Sequence, residues 1–181
     1  MMNAKRNRVL SASCSCGKVQ FEAVGAEIVA AACYCISCQA AGHQFEQLSP
    51  STTVLERDGG TDFLLYRKDR VRCSKGEALL TEYRLKPESP TRRVMATCCN
   101  SAMFLEFNKG HWLSLYRNRF ASGAPPIAVR TMTKDKRPDV EFVDDVPSPA
   151  THSVRFMWNL LAAWVAMGFR VPAITYGKAP Q

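Results

Sequence analysis

The chain has no apolar run long enough to span a bilayer, no glycine-rich phosphate loop, no nucleophile elbow and no Ser/His/Asp arrangement. Those absences argue against a membrane-spanning protein, a P-loop enzyme and a serine hydrolase. Histidine is scarce, with His43, His111 and His152 the whole set. His43, five residues beyond Cys38, could approach a metal held by the nearby cysteines, although a lone histidine is more often a surface or hydrogen-bonding residue; His111 and His152 have weaker claims to the metal. The start carries Lys5, Arg6 and Arg8 with no apolar run after them, so the expectation is a cytoplasmic chain without a secretory leader.

What is present is an ordinary globular composition, 46% hydrophobic and 22% charged over 181 residues, enough to bury one real core. A net charge of +8 invites a nucleic-acid reading. The cations are scattered, however: Arg67, Lys68, Arg70 and Arg72, then Arg92 and Arg93, then Lys134, Lys136 and Arg137. Without a recognition helix or an RNA-binding aromatic signature, they read as solvated faces, a few of which steer an acidic small molecule.

Short alternating segments dominate the first three quarters. Val19, Phe21 and Ala23 alternate with polar residues, the period of a half-buried strand. Asp58-Gly59-Gly60 announces the apolar run 63–66. Segments 71–73 and 79–85 flank Ser74-Lys75-Gly76-Glu77 and read as a hairpin, with Leu79, Thr81, Tyr83 and Leu85 on one side of its second strand. Further strands are expected at 93–97, 103–107, 112–116 and 128–132, which makes a mainly antiparallel β domain.

After the proline-containing connector 144–150, residues 152–169 carry the one long helical pattern, with Thr151 as N-cap and Gly168 near its close. Its stripe is Val154, Met157, Leu161, Trp164 and Val165, widened by Phe156, Leu160 and Met167. Fourteen residues separate Arg155 from Arg170, against about 20 for a membrane span. The helix therefore packs on the sheet or on a partner chain, the second option being a homo-oligomer; the alternative, an interfacial membrane helix, would want more cations on its polar face.

Seven of the eight cysteines form three clusters. In a reducing cytosol such clusters point to metal rather than to disulfides. Cys33, Cys35 and Cys38 offer three thiolates within six residues, the ligand count of an open zinc that keeps a fourth place for water or substrate. Cys14 and Cys16 need two partners from elsewhere, and Cys98 and Cys99 are the natural pair. Neighbours in a strand point to opposite faces, so Cys98 and Cys99 meet one metal only where the backbone turns; Asn100-Ser101 is turn chemistry. Cys73 stands alone and reads as a core thiol.

Cys14-Ser15-Cys16-Gly17, Cys33-x-Cys35-x-x-Cys38-Gln39 and a late cysteine before an apolar strand resemble the glutathione-dependent formaldehyde-activating enzyme family, the GFA or CENP-V domain. That resemblance covers about residues 10–120 and leaves 121–181 as an extension with a strand, the connector and helix 152–169. It implies a mainly β, Mss4-like zinc-binding fold of short antiparallel strands with a C-terminal α-helix added here. It implies two zinc ions, a structural one at Cys14, Cys16 and the late pair, and a catalytic one at Cys33, Cys35 and Cys38. The family reads F-C-x-x-C-G-[ST] at the late pair, whereas this chain has Ala96, Thr97, Cys98, Cys99, Asn100 and Ser101. Cys99 matches the second cysteine, and Cys98, two places out of register, stands as a displaced ligand.

The expected function is a zinc enzyme acting on a small thiol or a glutathione adduct, a carbon–sulfur lyase-type reaction with glutathione as co-substrate. The alternative is a non-catalytic zinc module that binds protein or nucleic acid through its basic surface.

Overall fold

The computed structural model describes residues 8–50 and 53–176; Lys5 and Arg6 of the basic start lie outside them. Ten strands form two sheets. The smaller holds β1 (Val9–Ser13), β2 (Gln20–Val24) and β5 (Val71–Lys75) in the order β1-β2-β5. The larger holds β3 (Val29–Cys33), β4 (Thr61–Arg67), β6 (Leu80–Tyr83), β7 (Thr91–Ala96), β8 (Ser101–Phe107), β9 (Trp112–Tyr116) and β10 (Val129–Thr131), in the order β10-β3-β4-β9-β8-β7-β6. All pairings are antiparallel except β10 with β3, which is parallel. The described residues also hold two α-helices, α1 (Ile36–Glu46) and α2 (Val154–Val165). The mainly β class with a C-terminal helix is therefore as expected.

Side-chain alternation explains the layering. On β4, Leu64 and Tyr66 face one way and Phe63 and Leu65 the other, and all four are buried. The first pair meets Val19, just before β2, and Phe21 and Ala23 of the small sheet, with Phe21 edge-on to Phe104 at 5.5 Å. The second pair meets Ala41 and Phe45 of α1 and Phe156 and Leu160 of α2. The large sheet is thus the middle of three layers, with the small sheet on one face and both helices on the other.

Three expectations are corrected. Segments 71–73 and 79–85 are not a hairpin: β5 pairs with β2 and β6 with β7, in different sheets. Gly76, at φ 77°, carries the chain between them, and a Cβ there would meet the Lys18 carbonyl oxygen at 2.3 Å. Helix 152–169 is shorter, Val154–Val165, and its N-cap is Ser153, whose hydroxyl accepts from Phe156 N–H at 3.1 Å; Thr151 takes no part. The face that α2 buries holds Phe156 and Leu160, while Val154, Met157, Leu161 and Val165 of the stripe are exposed. His111 fixes α2 on the sheet through Nε2 and the Leu160 carbonyl, 2.8 Å apart, and by stacking on Trp164.

Among the described residues no helix is long and apolar enough to cross a membrane. The scattered cations largely meet their own carboxylates. Arg67 pairs with Asp69, Arg72 with Glu22, Arg84 with Glu82, Arg130 with Asp145 and Arg137 with Asp139.

Candidate metal centres and the cavity beside one of them

The chain brings all seven clustered cysteines into two groups, one on each face of the large sheet. Cys14 and Cys16 follow β1; Cys98 and Cys99 occupy the β7–β8 turn. The backbone does turn there, with Asn100 at φ 52°, so two consecutive residues aim their sulfurs at one point. Cys16 Sγ lies 3.6 Å from Cys14 Sγ and 3.4 Å from Cys98 Sγ. Cys98 Sγ lies 3.8 Å from Cys14 Sγ and 3.9 Å from Cys99 Sγ. Metal–sulfur bonds of about 2.3 Å in a tetrahedron place their sulfurs about 3.8 Å apart, so the donor set fits a soft divalent cation such as zinc.

Backbone and hydroxyl groups orient these sulfurs. Gly17, at φ 72°, curls the chain so that Val19 N–H donates to Cys14 Sγ at 3.3 Å. Ser101 Oγ lies 3.2 Å from Cys99 Sγ and receives Arg119 Nη1 at 3.0 Å. Burial raises the Cys99 thiol pKa, but hydrogen bonds from Ser101 and Ser15 outweigh it and bring the value down to about 5. Arg119 is itself buried, and its charge faces Cys99 and Cys14.

Cys33, Cys35 and Cys38 sit at the end of β3, at the N-cap of α1 and in its first turn. Their sulfurs all lie within 4.8 Å of one another. Hydrogen bonds from Cys33 and Cys38 hold Cys35 far below the ordinary thiol range, and the positive end of the α1 dipole acts in the same direction. Gln39 braces the loop, its Nε2 donating to the Tyr34 and Asp135 carbonyls at 2.5 and 2.8 Å. No fourth cysteine, histidine or carboxylate among the described residues joins this group, whereas the other has four members.

The group opens onto a cavity of about 300 Å³ between the large sheet and α2. His152 lines it, with Nδ1 2.8 Å from Thr131 Oγ1 and its ring stacked on Phe156 at 4.9 Å. The histidine at this site is therefore His152, not His43, which lies on the surface with Nδ1 3.5 Å from Glu46. A linear distance of five residues is no guide here, because α1 turns His43 away from its own N-terminus. The partner that does arrive comes from 114 positions beyond Cys38, through the connector that follows β10. Cys73 belongs to neither group; its Sγ donates to the Lys75 carbonyl at 3.3 Å.

Sequence reasoning also missed Arg93. It is fully buried, and Nη2 donates to the Ser37 carbonyl at 2.9 Å, in the loop between Cys35 and Cys38. Its Nε and Nη1 have no hydrogen-bond partner among the described residues. A buried cation with one neutral acceptor is strongly unfavourable unless anionic charge lies close. Three thiolates around a divalent cation carry a net charge of −1, and Arg93 lies beside them.

The chain belongs to a family of unknown function, DUF6151. The family model matches residues 6–136, which takes in both cysteine groups and all ten strands but not α2. In this DUF6151 chain one wall of the cavity therefore comes from outside the matched region. No curated protein matches it. A crystal structure of a Rhodobacter sphaeroides protein is similar over 77% of this chain and 100% of that one, at 15% identity and a TM-score of 0.47.

Proposed function

We propose that the protein is a two-zinc enzyme of the GFA type, with a structural zinc at Cys14, Cys16, Cys98 and Cys99 and a reactive one at Cys33, Cys35 and Cys38. Its reaction is of the carbon–sulfur lyase kind, making or breaking the bond between a thiol sulfur and an aldehyde carbon. The observation that carries this reading is the asymmetry of the two groups: four sulfurs closed on one side of the sheet, three facing a cavity on the other.

Zinc held at the three sulfurs would favour a substrate thiol in its thiolate form. In the forming direction the sulfur bonds to the carbonyl carbon, the C=O π pair moves to oxygen, and the proton lost from sulfur ends on that oxygen. Among the described residues His152 is the one titratable side chain besides the cysteines that lines the cavity, and it is the group to carry this proton. The walls of sheet and helix hold sulfur and carbon together, which supplies rate through proximity.

Glutathione is the thiol, and formaldehyde the aldehyde, that the GFA resemblance implies. The test is metal analysis with aldehyde-dependent consumption of thiol. Two zinc ions per chain are expected, falling to one in Cys35→Ser with loss of turnover. His152→Ala should keep both ions and lose about 10²–10⁴-fold in rate. Zinc-loaded protein that binds no thiol and forms no adduct overturns the reading. The alternative, a basic-surface module, has less support, since Arg67, Arg72, Arg84 and Arg137 are paired with the chain's own carboxylates.

Arg93 supplies a prediction with two opposite signs. Arg93→Met should lower metal affinity at the three-cysteine group about 10–100-fold, as loss of an outer-shell partner does. The same change should leave the metal-free protein no less stable, because it removes a buried, poorly paired cation. Competitive chelator titration and denaturant unfolding measure the two quantities; equal affinity in wild type and variant would refute the charge-balance argument.

A further inference from the structure

We infer that the thiol this site takes carries its sulfur on a compact apolar group, an aromatic or branched alkyl body, rather than on a charged peptide. This rests on the open-site reading above and puts another class of thiol in place of the glutathione that the GFA resemblance implies. The cavity that begins at the three cysteines runs between Leu65, Leu105, Phe107 and Trp112 of the sheet and Phe156 and Leu160 of α2. Its polar lining is hydroxyl, imidazole and thiol; among the described residues no lysine, arginine, aspartate or glutamate is part of it. Arg93 does not substitute for a lining cation, since it lies buried behind Ser37 rather than in the wall.

Glutathione presents two carboxylates and an ammonium. Carboxylates taken into such a cavity would find no cation to pair with, and an unpaired charge out of water is heavily disfavoured. The gradient from apolar walls to soft sulfur ligands also matches one molecule with an apolar body and one sulfur. Each methylene buried against these walls strengthens binding about fourfold, so a benzyl group should gain about a hundredfold over a small polar substituent.

The experiment uses full-length protein with cobalt(II) in place of zinc, so that a thiolate entering the metal shell is read as a new charge-transfer band. Benzyl mercaptan, 2-mercaptoethanesulfonate and glutathione are titrated against it, and Trp112 fluorescence gives a second readout of cavity occupation. Benzyl mercaptan is expected to bind about a hundredfold more tightly than either anionic thiol. Met157 is 52% exposed at the cavity's edge, so Met157→Arg should fold normally. That variant should weaken benzyl mercaptan about tenfold and strengthen 2-mercaptoethanesulfonate. Equal affinities for all three thiols, or a preference for glutathione, overturn the substrate class while leaving an open metal site intact. No band with any thiol overturns the open site and this inference with it. A concentration-dependent dimer that blocks thiol entry overturns it as well, because the groove would then belong to a second copy of the chain.

Discussion

Cys14→Ser is expected to lower the thermal midpoint by about 10–20 °C and to abolish one of two bound metal ions, while Cys35→Ser removes the other ion with a shift of only a few degrees. The difference follows from what each group joins. Cys14 and Cys16 follow a strand of the small sheet, and Cys98 and Cys99 sit in a turn of the large one. A metal at their sulfurs ties the two layers together across the core between the two sheets, in which Cys14 and Cys99 are buried. Metal held by a folded site and not by the unfolded chain contributes its binding free energy to folding. Loss of about 5 kcal/mol is a large part of the stability of a typical domain, and for a chain of this length it corresponds to the midpoint shift given above. The three-cysteine group connects a strand end to the helix that directly follows it, so little long-range structure depends on it. Calorimetry with and without a chelator, alongside metal analysis of both variants, measures the contrast. A Cys14→Ser protein that keeps two ions and melts with the wild type would remove the structural role of this group. Acid should reproduce the effect, because the ligating thiols must be deprotonated and affinity falls with falling pH.

What the sequence made legible was whatever depends on local spacing. Period-two alternation located β2, the apolar run after Asp58-Gly59-Gly60 located β4, the short segments 103–107 and 112–116 fell on β8 and β9, and the cysteine intervals named every member of both groups. Pairing between distant strands was not legible. Residues 74–77 have the composition of a hairpin turn, and nothing local records that Gly76 sends the next strand to another sheet. Helix α1 was hidden because it begins inside the C-x-C-x-x-C motif and continues through Ala40, Ala41 and Gly42, with little apolar stripe to reveal it. In α2 two apolar stripes compete, and periodicity alone cannot say which turns inward. Packing against Leu65 and His111 settled that in favour of Phe156 and Leu160. Buried charge was the least legible of all. Arg92 and Arg93 read as a basic doublet, yet alternation on β7 sends them to opposite faces, and both are buried.

Arg92 leads to the second large effect, in which Glu106→Ala destabilises the protein by about 3–5 kcal/mol without touching either cysteine group. Glu106 is shared by two cations that water barely reaches. Lys68 Nζ lies 2.5 Å from Oε1 and Arg92 Nε lies 2.6 Å from Oε2, with side-chain exposures of 3% and 5%. Exposed ion pairs are worth about 0–1 kcal/mol each, so Asp139→Ala, which breaks the Arg137 pair, serves as the control. The buried case differs because deleting the carboxylate strands two desolvated charges, of which Arg92 keeps only a 3.4 Å contact with Glu82 and two carbonyls. Those carbonyls belong to Ile174 and Tyr176, so Arg92 also clamps the segment after α2 onto the core between the two sheets, where Tyr176 meets Phe21 edge-on at 5.7 Å. Loosening of that clamp should appear as faster proteolysis near residues 170–176 before global unfolding. Adding Lys68→Met to Glu106→Ala removes one stranded charge and should recover part of the loss, which a double-mutant cycle resolves. Urea unfolding of the four proteins decides the matter: a Glu106→Ala variant within 1 kcal/mol of wild type would mean that water reaches this triad and that its charges need no pairing.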